Sequence, residues 1–247
     1  MSEQSKQAFN LPKLLILGTV SLSIIGLILL GNWQLRRLDW KLALIERIES
    51  RVSAAATIAP KINDWPSITR KADEYRHITI QGRFLHDKEA LVWALTEHGN
   101  GYWVITPLLT PDSEIVLINR GYVPIEAADT ATRESGQING NITVTGLLRI
   151  NEPDGITLRK NEPSAEHWYS RDIFAIAQTR ELKNVAPYFV DADDTKNPGG
   201  LPVGGLTIID FRNTHLIYAI SWYALAILLA AMTLRVLWLE RRSQKIT

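Results

Sequence analysis

The chain has 247 residues, of which 27 are basic and 26 acidic, a formal net charge of +1. That balance excludes the strongly basic surface of a nucleic-acid binder. The absence of cysteine excludes disulfides, cysteine-ligated zinc, iron–sulfur clusters, covalent c-type haem attachment and thiol-based copper transfer within the chain.

Along the chain, the apolar residues are concentrated near the two ends. Between Lys13 and Arg36 lie 22 residues without a charge. A bilayer core of about 30 Å is crossed by about 20 apolar residues in a helix, so residues 14–35 read as a first transmembrane helix. The alternative is the apolar region of a signal peptide, typically about 7–15 residues ending at a small-residue cleavage site. Leu14 to Leu30 is longer, and Gly31-Asn32-Trp33-Gln34-Leu35-Arg36-Arg37 offers no Ala-x-Ala pattern, which favours a retained anchor. No Arg- and Ser-rich transit segment precedes it, so the expected setting is a bacterial inner membrane.

Beyond the first span, Leu35, Leu38, Leu42, Ile45, Ile48 and Val52 recur at three- and four-residue spacing, and an amphipathic helix is expected over 36–56. Trp33 and Trp40 stand where aromatic residues favour the headgroup level. Pro60 to Pro66 is a break. From Tyr75 the period changes to two, and strands are expected near 75–85, 90–95, 102–109, 114–120, 141–150 and 188–191. The turn clusters between them are His98–Gly101, Thr110–Ser113 and Gly136–Asn141. Asp172 to Arg180 reads as a helix with Asp172 as its N-cap. Asn197 to Gly205 is a Pro/Gly-rich loop. Short strands joined mostly by local turns point to an antiparallel sheet closed into a barrel or a sandwich.

A second run of 22 uncharged residues, 213–234, lies between Arg212 and Arg235. The expected fold class is therefore a membrane protein in which two transmembrane α-helices flank an α+β periplasmic domain, residues 36–212. Lys6 and Lys13 in the first tail (1–13), and Arg235, Arg241, Arg242 and Lys245 in the last (235–247), place both termini in the cytoplasm. Arg36, Arg37 and Lys41 pull the other way, but long domains translocate largely regardless of charge. Six basic and two acidic residues lie in the tails, which leaves 21 basic and 24 acidic in the intervening domain.

His215 is the residue that points most directly to chemistry. On a helix His215, Ala219, Trp222 and Ala226 share one face, with Tyr218 and Tyr223 beside it. An imidazole among aromatic and small residues at a membrane boundary is a candidate axial ligand for haem iron. The plainer alternative is an interfacial polar residue, with Ala219, Ala226 and Ala230 packing against a small-residue face of Thr19, Ser23 and Gly26. His77, His86, His98 and His167 show no metal-ligand spacing and read as strand or loop surface positions. Asp191-Ala192-Asp193-Asp194 reads as a solvated acidic turn, because it lacks the glycine and distal glutamate of a calcium loop. Arg120, at the end of an apolar strand, is expected to form an ion pair at the barrel rim.

Three segments taken together resemble the surfeit locus protein family involved in cytochrome c oxidase biogenesis. They are Leu30-Gly31-Asn32-Trp33-Gln34-Leu35-Arg36-Arg37-Leu38 with Lys41, Val116 to Pro124, and Asn213 to Ala226. Pro107-Leu108 fits as well, and the resemblance spans essentially the whole chain with its two-span layout. It implies an assembly factor that is not an enzyme, a chaperone for the haem-containing catalytic subunit of a haem–copper oxidase. It further implies transient binding of haem a at His215, with haem a synthase as a second partner. Under that reading Trp222 and Tyr218 would lie on the macrocycle, and Arg36 and Arg37 would pair with its propionates. Apart from His215, no acidic, basic or imidazole side chain lies within either span, which disfavours a haem-modifying enzyme.

Overall fold

The computed structural model describes residues 11–154, 159–207 and 213–243. In chain order the elements are α1 (Leu11–Val52), β1 (Thr57–Ile58), α2 (Arg70–Asp73), β2 (His77–Phe84), β3 (Ala90–Thr96), β4 (Gly99–Leu109), β5 (Ile115–Pro124), β6 (Ile142–Ile150), α3 (Ile173–Thr179), β7 (Val185–Ala192) and α4 (His215–Ser243), with short 3₁₀ turns between them. The chain divides into a helical unit, Met1–Glu46 with Asp210–Thr247, and a β-rich unit, Arg47–Ile209.

In the helical unit both helices are long and apolar enough to cross a membrane, and only 6% and 11% of their apolar windows are buried by the rest of the protein. A core helix of the same composition would be largely covered. The first span and the amphipathic segment after it form one continuous helix of 42 residues, about 63 Å at about 1.5 Å per residue. Between residues 14 and 34 of α1 the less exposed positions Leu17, Val20, Ile24, Leu27, Gly31 and Gln34 recur at three- and four-residue spacing, with Gly26 also half-buried. On α4 the matching positions are Ala219 and Ala226, 1% and 4% exposed. Lys13 and Glu240 form an ion pair between the two helices. Of the small-residue face of Thr19, Ser23 and Gly26, only Gly26 is partly covered. Thr19 and Ser23 are exposed, their hydroxyls bonding the carbonyls of Leu15 (3.0 Å) and Thr19 (2.9 Å) one turn back. A hydroxyl satisfied within its own helix needs no partner across a seam.

In the β-rich unit the sheet order β1-β2-β6-β7-β5-β4-β3 is closed by a further pairing of β2 with β4. The barrel alternative of the sequence reading therefore holds, with a ring of five strands: β2, β4, β5, β7 and β6. It is not wholly antiparallel. A ring with an odd number of strands must contain a parallel pair, and here β5 and β7 run parallel. The ring order, with the last strand inserted between the third and fourth, is that of the five-stranded Greek-key barrel of OB folds, which by itself assigns no function.

Alternation along the strands sets the two larger of three apolar clusters. Ile78, Ile80, Phe84, Leu108, Val116, Ile118, Leu148, Tyr188 and Val190 form one cluster. On the opposite face, Leu117 and Phe189 pack with Trp168, Ile173 and Ile176, the last two carried by α3. Asp172 caps α3 by accepting from the Ala175 N–H (3.3 Å). β5 is consequently buried on both faces along nearly its whole length, which is why its sequence reads as an apolar run. The expected turn at His98–Gly101 is shorter: Thr96 already pairs with Gly99, and β4 begins there. Gly101 lies within β4, at a position where a side chain would overlap the Val123 carbonyl and the Tyr122 ring.

Candidate functional site

Helix α4 begins at His215. The Asn213 side-chain oxygen accepts from the His215 N–H (3.3 Å), and the Thr214 carbonyl accepts from the Tyr218 N–H (3.2 Å). Imidazole Nδ1 of His215 lies 2.8 Å from Gln34 Oε1 on α1. Farther along α4 the Tyr223 hydroxyl donates to Asn32 Oδ1 (2.7 Å). The Tyr223 ring lies against Gly31, where a β-carbon would come within 2.6 Å of it. Two of the three family-like segments, at 30–38 and 213–226, thus meet through three contacts.

His215 and Trp222 are half-buried, while Tyr218 is 54% exposed. Arg36 and Arg37 are both exposed, and the Arg37 guanidinium lies 4.1 Å from the centre of the Trp40 ring. Gln34, which the sequence reading gave no role, is the residue that touches His215. The signal that could have found it is an amide at the end of an apolar run, a group that costs free energy there unless partnered. The contact fits a ring that donates from Nδ1 to the Gln34 amide oxygen, an arrangement that in a neutral imidazole leaves the lone pair on Nε2. Nε2 has no hydrogen-bond partner among the described residues.

The third segment, Val116–Pro124, does structural work in the β-rich unit. Asn119 donates to Asp191 Oδ1 (2.8 Å) and accepts from the Gly121 N–H (3.2 Å). Gly121 has φ +126°, and a side chain there would overlap the Val203 carbonyl. Tyr122 and Val203 exchange two backbone hydrogen bonds (2.8 and 2.9 Å), and the Tyr122 hydroxyl donates to the Asn100 carbonyl (2.9 Å). Arg120 is 2% exposed but, contrary to expectation, forms no ion pair among the described residues. It donates to the Gly136 carbonyl and to Asn197 Oδ1 (3.1 Å) and stacks on Phe84 at 4.7 Å. Glu89, the nearby carboxylate, is instead paired with Arg133. Burial lowers the Arg120 pKa to about 10, with Glu89 opposing and Arg133 reinforcing the shift. The strand segment thereby pins the loop that holds Asn197 and Val203.

Asp191 is no solvated turn residue. It is 3% exposed in β7 and accepts from Arg149 (2.8 Å), Arg171 (3.0 Å), Asn119 and Thr207 (3.1 Å). Burial alone would raise its pKa, but Arg171 and Arg149, helped by Asn119 and Thr207, hold it below the ordinary carboxylate range. Glu152 pairs with both arginines, 2.5 Å from Arg149 and 2.7 Å from Arg171. This network floors a cavity of about 730 Å³ walled by Trp93, Trp103 and Tyr169.

The remaining histidines are scattered. His77 Nδ1 lies 2.9 Å from the Ala54 carbonyl and His86 Nε2 2.9 Å from that of Ile138. His98 stacks on Tyr122, and His167 stands 3.8 Å from Glu162. Burial lowers the His86 pKa, against the Ile138 carbonyl, which raises it. Among the described residues no three acidic or imidazole side chains form a metal-binding group.

Comparison with known proteins places these contacts in context. The SURF1 family model matches residues 22–227. The chain is 34% identical over 212 residues to surfeit locus protein 1 of Mus musculus, covering 79% of this chain and 67% of the relative. It is 35% identical over 234 residues to surfeit locus protein 1 of Xenopus tropicalis, covering 88% and 72%. A SURF1-like protein of Monosiga brevicollis is 34% identical over 220 residues, covering 82% and 80%.

Proposed function

Because this chain belongs to the SURF1 family, we propose that it is an assembly factor for a haem–copper cytochrome oxidase, aiding haem a insertion into the catalytic subunit. In this reading α1 and α4 span a bacterial inner membrane with both termini in the cytoplasm, and the β-rich unit lies in the periplasm. The exposed apolar surface of both helices and the basic residues near the chain ends support that placement. The protein acts as a chaperone and not as an enzyme, and haem a synthase is a second partner.

The observation that carries the cargo reading is the state of His215. An imidazole whose Nδ1 is held by Gln34 (2.8 Å) presents Nε2 as a single neutral donor. One donor suits an iron whose other ligands arrive with it, as in a macrocycle, better than a bare ion. Bound haem a would supply that iron. His215 would ligate it, Trp222 and Tyr218 would offer aromatic surface, and Arg36 and Arg37 would pair with the propionates. Haem a has an apolar ring and a long isoprenoid tail, so a membrane-embedded holder avoids releasing it into water.

The test is complementation of a strain lacking the protein, read as the haem a content of the assembled oxidase and of the purified factor. His215→Ala should lower haem a on the factor by more than roughly tenfold, since losing even an outer-shell partner costs about 10–100-fold. Oxidase haem a should fall with it. Full oxidase assembly by a haem-free His215→Ala protein would instead identify a scaffold that stabilises an assembly intermediate through protein contacts alone.

A further inference from the structure

We infer that Gln34 is a positioning residue: it holds His215 as the Nδ1–H tautomer, so that Nε2 is the atom presented for ligation. The inference deepens the haem reading above, but its observations are independent of haem. An unrestrained neutral imidazole in water favours the opposite tautomer, with the proton on Nε2. Here Nδ1 faces the Gln34 amide oxygen at 2.8 Å, which accepts a hydrogen bond and has no hydrogen to donate. The tautomer is thus selected by a residue 181 positions away in the chain.

The alignment of the two helices around this pair is itself specified. Tyr223 donates to Asn32 (2.7 Å), and Gly31 lets the Tyr223 ring come close. Asn32 and Gln34 lie two residues apart on α1, while His215 and Tyr223 are eight apart on α4. Two side-chain bonds at separate points fix both the register and the rotation of one helix against the other. A ligating histidine is commonly oriented by such an outer partner, whose removal costs about 10–100-fold in metal affinity. Glutamine is a neutral acceptor. It therefore orients the ring without adding the negative charge that a carboxylate partner would push onto the iron.

The test is ¹⁵N NMR of the histidine-labelled full-length protein in lipid nanodiscs, above the pH at which imidazoles titrate. The chain has five histidines, and the His215 signals are identified by their loss in His215→Ala. Wild type should show His215 protonated at Nδ1. Gln34→Leu should move the population toward Nε2–H, and Gln34→Glu, which keeps an acceptor oxygen, should restore Nδ1–H. A His215 ring protonated at Nε2 in wild type, or one unchanged by Gln34→Leu, overturns the inference whether or not the protein holds haem.

On haem-loaded protein, Gln34→Leu should bind about 10–100-fold more weakly, and Gln34→Glu should shift the midpoint potential to more negative values. A potential identical to wild type in Gln34→Glu would count against Gln34 acting on the ligand. If the tautomer behaves as expected while no haem is held, Gln34 keeps its positioning role and the haem reading is what fails.

Discussion

Replacing Gly121 by alanine is expected to lower the stability of the β-rich unit by roughly 3–5 kcal/mol, from backbone strain and broken strand pairing together. The strain arises because φ at Gly121 is +126°, a region that a residue with a β-carbon enters only at a cost of about 1–3 kcal/mol. The pairing is lost because the new methyl would overlap the Val203 carbonyl. Relieving that overlap moves Val203 away from Tyr122 and breaks the two backbone hydrogen bonds they share. The melting temperature, followed by tryptophan fluorescence of the purified protein, should fall by about 10 °C. Gly99→Ala is the control. Gly99 has a similar φ of +100° but nothing within 4 Å of an added methyl, so only the conformational cost applies. Equal losses in the two variants would show that Gly121 is needed for its backbone angle alone and does not clamp the loop.

Asp191→Ala is expected to cost a similar amount, about 3–5 kcal/mol, because it removes the buried carboxylate that buried Arg149 and half-buried Arg171 share and leaves Glu152 alone to balance the two cations. Arg149 and Arg171 both lose a carboxylate partner, and Asn119 loses its acceptor. The same residue makes stability depend on pH. Its carboxyl has a lower pKa folded than unfolded, so its contribution is fully present above the unfolded carboxylate value, about 3.9. That contribution is lost as pH falls through the folded value. Asp191→Asn cannot titrate, so the gap in melting temperature between wild type and this variant should be widest near neutrality and close in acid. A gap that stays constant down to pH 3 would remove Asp191 from the acid response. Glu152, bonded to both arginines, would then be the group to test.

The sequence was informative where a local rule sets local structure. The two uncharged runs, the change of period at Tyr75 and the Asp172 cap each follow from side chains within a few residues of one another. The barrel closure depends on β2 meeting β4 at Arg83–Leu109, a pairing that no local pattern specifies. Asp191 was misread for the same reason. Beside Asp193 and Asp194 it looks like an exposed acidic turn, and its arginines lie 42 and 20 residues away. Arg120 ends an apolar strand and invites an ion pair, but its hydrogen bonds go to the Gly136 carbonyl and the Asn197 amide oxygen instead. On the helices, Thr19 and Ser23 look like a packing face until their hydroxyls are seen to be satisfied one turn back. Gln34 has the weakest signal of all, since an amide at the end of an apolar run points to no particular partner.

Whether the protein carries haem a is read from the absorption spectrum of the detergent-purified protein, expressed with and without haem a synthesis. A Soret band with haem a features, present only in the host that makes haem a and absent from His215→Ala, is the predicted result. A fully folded wild-type protein with no haem band in either host would contradict it, and would leave a scaffold in which His215 and Gln34 serve to align two helices.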